Sequence, residues 1–126
     1  MTASNAEPTT TAKRKTRDQE RAKAAWEATP ATDDLSEEYL SLVRGAGASI
    51  MTMGLGQTLS FYLAKGQDHH ERLADALARW LLEDVDADGE ALIETIMESE
   101  SSQYRRLTTE ALAYLTWLKR FAEARS

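Results

Sequence analysis

The sequence predicts an all-α fold, a compact bundle of six or seven helices. Three observations carry that expectation. Only two prolines and six glycines punctuate 126 residues, and runs of Val, Ile or Thr that would favour strands are scarce. Apolar residues recur at steps of three and four in segment after segment, which is the period of a helix buried on one face. The chain is 42% hydrophobic, enough to build a core in a single small domain.

The elements follow in order. Residues 1–15, "MTASNAEPTTTAKRK", are polar and unpatterned and read as a disordered tail ahead of one helical domain over 16–126. A first helix is expected from about Thr16 to Ala28, with Ala22, Ala25, Trp26 and Thr29 on one face and Pro30 closing it. Asp33 and Asp34 are placed to cap the next, whose stripe is Leu35, Tyr39, Leu42 and Val43. Gly45 and Gly47 are expected to interrupt the chain before a short apolar turn from Ile50 to Met53. Leu55, Leu59, Tyr62 and Leu63 then mark a helix from about Leu55 to Lys65, stopped by Gly66.

Asp68 and Glu71 have the spacing of a capping box ahead of Leu73, Leu77, Trp80 and Leu81. Leu92, Ile93, Ile96 and Met97 mark a further helix beyond an acidic loop. The last is the clearest, with Tyr104, Leu107, Ala111, Tyr114, Leu118 and Phe121 spaced by three and four over some five turns.

Several functions are set aside by what is missing. With no cysteine, neither disulfides nor thiolate metal sites are available, which suits a reducing cytoplasm. No apolar run reaches the roughly 18 residues of a membrane span, so a soluble protein without membrane partners is expected. The stretch "MTMGLGQTLSFYLAKG" suggests a phosphate-cradling loop, but leucine stands at position 59 where a dinucleotide fingerprint needs glycine, and no Gly-Lys-Ser/Thr follows. The glycines are better read as allowing a tight bend or close backbone approach.

The loop "EDVDADGEALIET" puts Asp84, Asp86, Asp88 and Gly89 at positions 1, 3, 5 and 6 of a calcium loop. Position 12 is Thr95 rather than a bidentate carboxylate, so a solvated linker is the better reading. His69 and His70 are adjacent and point to different sides of a helix start. No catalytic residue, metal ligand or cofactor site is assigned, and no enzyme is expected.

Charge is more informative. Residues 1–30 carry +2, residues 31–100 carry −11 and residues 101–126 carry +3, giving the net −6. On the last helix Arg105 and Arg106 precede Lys119 and Arg120 by 14 residues, about 21 Å at 1.5 Å per residue, on the side away from the apolar stripe. Such a rail suits a phosphate backbone. Pairing with Glu110 and Glu123, or interaction with the helix C-terminus, explains the same residues without RNA. Trp117 lies on the flank of that helix and fits either a protein interface or a widened core.

Three segments, "QERAKAAWE", "GLGQTLSFYLAKG" and "YRRLTTEALAYLTWLKRFAEA", resemble in order and spacing the small helical subunit of the Cmr-type (type III-B) CRISPR effector complex, over about Arg17 to Ala124. The resemblance implies a non-catalytic scaffold subunit in an RNA-guided antiviral complex. In that family copies stack head to tail as a minor filament beside the subunits that hold the guide RNA. Basic surfaces of the stack help hold the target strand, and nuclease and cyclic-nucleotide synthesis belong to other subunits.

Carried to this chain, Arg21, Arg105, Arg106, Lys119 and Arg120 are the expected contacts to guide and target RNA. Arg44 is added from charge alone. The tail and the unusually acidic stretch from Asp84 to Glu100 depart from the family pattern. The competing reading is a stand-alone helical adaptor that binds only protein, through Trp117 and the acidic middle.

Overall fold

The computed structural model describes residues 15–126, and the expected disordered tail therefore lies, apart from Lys15, outside the described residues. Six α-helices and one short 3-10 turn account for almost all of the described chain: α1 (Arg17–Ala28), the turn Thr32–Asp34, α2 (Glu37–Met53), α3 (Leu55–Lys65), α4 (Asp68–Leu82), α5 (Gly89–Glu98) and α6 (Ser101–Arg125). At 25 residues and about 37 Å, α6 is the axis of the molecule. It packs chiefly along α1 and α2 and touches α4, while α5 rests on α4 and α3.

Local chemistry sets the helix ends. Thr16 and Gln19 form a reciprocal capping box at the start of α1, each side chain accepting from the other's backbone N–H. Ser36 caps α2 by accepting from the Tyr39 N–H, while Asp33 and Asp34, expected as the caps, lie in the preceding 3-10 turn. The box expected at Asp68 does not form. Gln67 takes the N-cap position without a side-chain bond, and Asp68 and Glu71 instead place negative charge in the first turn of α4.

The expected break at Gly45 and Gly47 is also absent, since α2 runs unbroken to Met53. Buried Tyr39, Val43, Ala46 and Ile50 continue one stripe across both glycines, and burial of that stripe outweighs a propensity cost of about 1 kcal/mol per glycine.

Two glycines do what no other residue can. Gly54 alone separates α2 from α3 at φ +91°, closing α2 with its N–H on the Ile50 carbonyl and opening α3 with its own carbonyl on the Thr58 N–H. A Cβ there would be strained by the backbone and sit 3.2 Å from the Tyr104 hydroxyl, which accepts from the Gly56 N–H at 3.1 Å. The "GLGQ" stretch is thus a helix–helix hinge locked by a tyrosine of α6. Gly89, which resembled a calcium-loop glycine in the sequence, is a packing residue. A Cβ there would lie 2.8 Å from Ala74 Cβ and 3.2 Å from Leu63 Cδ2.

The core is one cluster. Tyr39, Val43 and Ile50 of α2, Leu55 and Leu59 of α3, Leu73 and Leu77 of α4, Leu92 of α5 and Tyr114 and Leu118 of α6 are essentially inaccessible. Only Ala25 of α1 is fully buried, so α1 gains little from the core and must be held by other means. Among the described residues no helix is long and apolar enough to cross a membrane.

Gly89→Ala should lower the urea-unfolding free energy by about 1–3 kcal/mol, because Ala74 is a short, inflexible neighbour that cannot yield. Gly45→Ala, where nothing lies within 4 Å, should raise it by about 0.5–1 kcal/mol. Equal effects at the two sites would refute the packing role of Gly89.

Candidate nucleic-acid interface

The fate of each basic residue depends on which carboxylate it meets. Arg21 of α1 turns inward. Its Nε and Nη2 donate to the two carboxylate oxygens of Glu110 on α6, Nη2 at 2.9 Å, and its Nη1 donates to Asp18 Oδ1 at 2.6 Å. The Trp80 indole of α4 donates to the same Glu110 at 2.8 Å, and the Trp117 indole of α6 donates to Asp18 Oδ1 at 3.0 Å. Arg17 lies over the Trp80 ring, 4.4 Å from its centroid.

The guanidinium of Arg21 and the indole of Trp80 thus tie three helices together at Glu110. Arg21, expected to touch RNA, is only 14% exposed and has its donors spent inside the protein. Arg44 of α2, the addition from charge alone, is pinned to Glu123 of α6 at 2.9 Å.

The two carboxylates expected to neutralise the α6 rail are therefore occupied by arginines of other helices. Arg105, Arg106, Lys119 and Arg120 are all exposed and have no ion-pair partner within 4.0 Å among the described residues. Nor does the helix end account for them: Arg125, not Lys119 or Arg120, is the base in the last turn. Arg125 donates to the Thr29 carbonyl at 2.6 Å and lies 3.6 Å over the Trp26 ring, fastening the end of α6 to the end of α1.

The rail is continuous with two shallow hollows. Ser102, Arg105, Arg106, Thr109 and Glu110 line one; Asp18, Ala113, Thr116, Trp117 and Arg120 line the other, at the seam of α1 and α6. Trp117, read from sequence as an interface or core residue, is half-buried against Phe121 with centroids 5.5 Å apart, and its indole N–H is already committed.

The remaining candidates resolve without chemistry. Asp84 Oδ1 accepts from the Asp86 N–H, and Asp88 caps α5 by accepting from the Ala91 N–H, so the acidic loop uses its carboxylates as turn and helix caps. No group of three or more His, Asp or Glu side chains able to hold a metal is gathered among the described residues. His70 is buried beside Tyr62, its ring pushed toward the neutral form by burial and secondarily by His69 and Lys65. Burial also pushes the Tyr39 and Tyr62 phenols up to about 12.

These features describe a small, all-helical protein whose distinctive surface is a cationic helix face. The sequence profile described as CRISPR-associated protein (Cas_Cmr5) matches residues 17–125, and the chain belongs to that family. It is 37% identical over 87 residues to the CRISPR system Cmr subunit Cmr5 of Thermus thermophilus, a match spanning 69% of this chain and 74% of the relative. The crystal structure of a CRISPR-associated Cmr5 family protein, also from Thermus thermophilus, superposes with a TM-score of 0.74 at 34% identity, over 88% of this chain and 97% of the other.

The Arg21 cluster also generates a pH dependence. Hydrogen bonds from Arg21, and then from Trp80, hold the Glu110 carboxyl below its usual 4.5 against the opposing effect of burial. A depressed carboxylate pKa contributes stability that is complete above about pH 4.5 and disappears as pH falls through the lower folded value. Arg21→Met, which strands a half-buried carboxylate, should cost about 1–3 kcal/mol at neutral pH. Glu110→Gln should be less stable than the parent at neutral pH and approach it in acid; urea midpoints that differ by the same amount at both pH values would refute the cluster's role.

Proposed function

We propose that this chain is a non-catalytic scaffold subunit of a Cmr-type (type III-B) RNA-guided complex, and that the exposed face of α6 holds the backbone of target or guide RNA. The observation that carries the reading is the division of labour among arginines. Glu110 and Glu123 are occupied by Arg21 and Arg44, which leaves Arg105, Arg106, Lys119 and Arg120 uncompensated along about 21 Å of one helix. A folded protein with net charge −6 that keeps four cations of one helix exposed and unpaired is suited to an anionic partner. Arg21 and Arg44 leave the proposed contact set and become the supports of the rail.

The curated relative is named as a subunit of a CRISPR Cmr system, which supports membership of a complex with other subunits; stacking against further copies of this chain belongs to the same proposal. Protein neighbours are best suited to the surfaces away from the rail. Met51 and Met53 at the end of α2 and Met97 of α5 are exposed, and α5 carries Glu90, Glu94 and Glu98 with no base. Apolar patches rimmed by one sign of charge favour protein partners of opposite sign over phosphate. The stand-alone adaptor reading is left without the Trp117 indole N–H as a hydrogen-bond donor to a partner, because it is already given to Asp18.

The double variant Arg106→Glu/Arg120→Glu tests the rail. Unfolding free energy should stay within about 0.5 kcal/mol of the parent, since neither side chain makes an internal ion pair. Retention of target RNA by the assembled complex should fall. The slope of log K against log salt should shrink by about 0.7 for each lost contact to single-stranded RNA. Undiminished retention with an unchanged slope would exclude α6 as an RNA surface.

A further inference from the structure

The hollow at the α1–α6 seam has features that a backbone rail does not require. It is lined by Trp117, Arg120, Asp18 and the short side chains of Ala113 and Thr116. Its volume of about 400 Å³ falls toward the lower end of the roughly 300–1,000 Å³ of small-ligand sites. Trp117 lines the hollow, whereas Phe121, on which it is stacked, does not.

The indole is also fixed. Its N–H is held by Asp18 Oδ1 and one face by Phe121, which is braced in turn by an edge-on contact with Trp26 at 5.1 Å. A ring held this way accepts a second aromatic without losing side-chain freedom. Asp18 Oδ1 already takes both Trp117 and Arg21, which leaves Oδ2 without a hydrogen-bond partner among the described residues. Arg21 is shared between Asp18 and Glu110, so the cation that faces an anionic strand at this hollow is Arg120, which lines it beside Asp18.

From this geometry we infer that the hollow is a subsite for one unpaired nucleobase of the bound RNA strand. The base stacks on Trp117, its flanking phosphate meets Arg120, and an exocyclic amino group of cytosine, adenine or guanine donates to Asp18 Oδ2. The inference rests on the reading of α6 as an RNA surface and adds a base contact to it. It makes the site tolerant of sequence yet weaker for uracil, which lacks the exocyclic amine.

The test uses the full chain and fluorescence anisotropy at low salt with three end-labelled strands of equal length: oligo(rC), oligo(rU) and an abasic ribose-phosphate strand. Oligo(rC) should bind more tightly than oligo(rU), and both more tightly than the abasic strand. Trp117→Leu should weaken oligo(rC) by about 5- to 100-fold and leave the abasic strand unchanged. Trp117→Phe, which keeps an aromatic face, should restore most of the affinity.

Should Trp117→Leu fail to fold, as shown by circular dichroism, the three-strand comparison on the parent decides alone. Equal binding of the abasic strand and oligo(rC) overturns the subsite and assigns the hollow to a protein side chain, while the rail stands. Equal binding of oligo(rC) and oligo(rU) overturns the role of Asp18. Absence of binding by every strand would instead remove the RNA reading of α6 and the subsite with it.

Discussion

The ion pair between Arg21 and Glu110 is the contact that organises the working surface. Helix α1 buries only Ala25 completely, so hydrophobic burial alone does not fix it against α6. A bidentate guanidinium–carboxylate pair does, because its planar geometry sets both distance and orientation. The pair is half-buried and hydrogen-bonded by Trp80 as well, which shields it from salt better than an exposed pair. Trp117 and Asp18 extend the same network to the α1–α6 seam, so the walls of the seam hollow are positioned by the residues that attach the helix.

That attachment has an electrostatic consequence. By holding Glu110, Arg21 prevents it from neutralising Arg106 one turn away on the same helix. Arg44 does the same to Glu123 near Lys119 and Arg120. The paired arginines thus keep the unpaired ones available. Long-range steering of a polyanion needs net positive potential on one face, and in an acidic protein that potential exists only where local carboxylates are already satisfied. Acidity elsewhere is compatible with this, since α5 and its loop rest on α3 and α4 while the rail lies beside α1.

Glycine has three distinct roles in this chain. Gly54 is required by a positive φ at a one-residue junction between helices, and Gly89 by the close approach of α5 to α4. Gly45 lies exposed within a helix where nothing demands it. A motif-based reading cannot separate these, because sequence spacing around each is equally plausible as a loop. The uninterrupted α2 illustrates the competition: two glycines lower local propensity, but the stripe of Tyr39, Val43, Ala46 and Ile50 regains more by burial.

Much of this was legible in one dimension: the all-α class, the helices around Leu55–Lys65 and Tyr104–Phe121, the family, and the two cationic doublets of the last helix. All of these rest on information within a few turns of chain, where the 3.6-residue period and local charge are read directly. Even the Thr16–Gln19 capping box was present in the sequence as a T-x-x-Q pattern. Folding in three dimensions was needed to settle which cation meets which anion. Arg21 and Glu110 are 89 residues apart, and Arg44 and Glu123 are 79 apart. Coulombic pairing depends on distance in space, which a linear charge count does not contain, so bases of the same type became inter-helix pairs in one case and an open surface in the other.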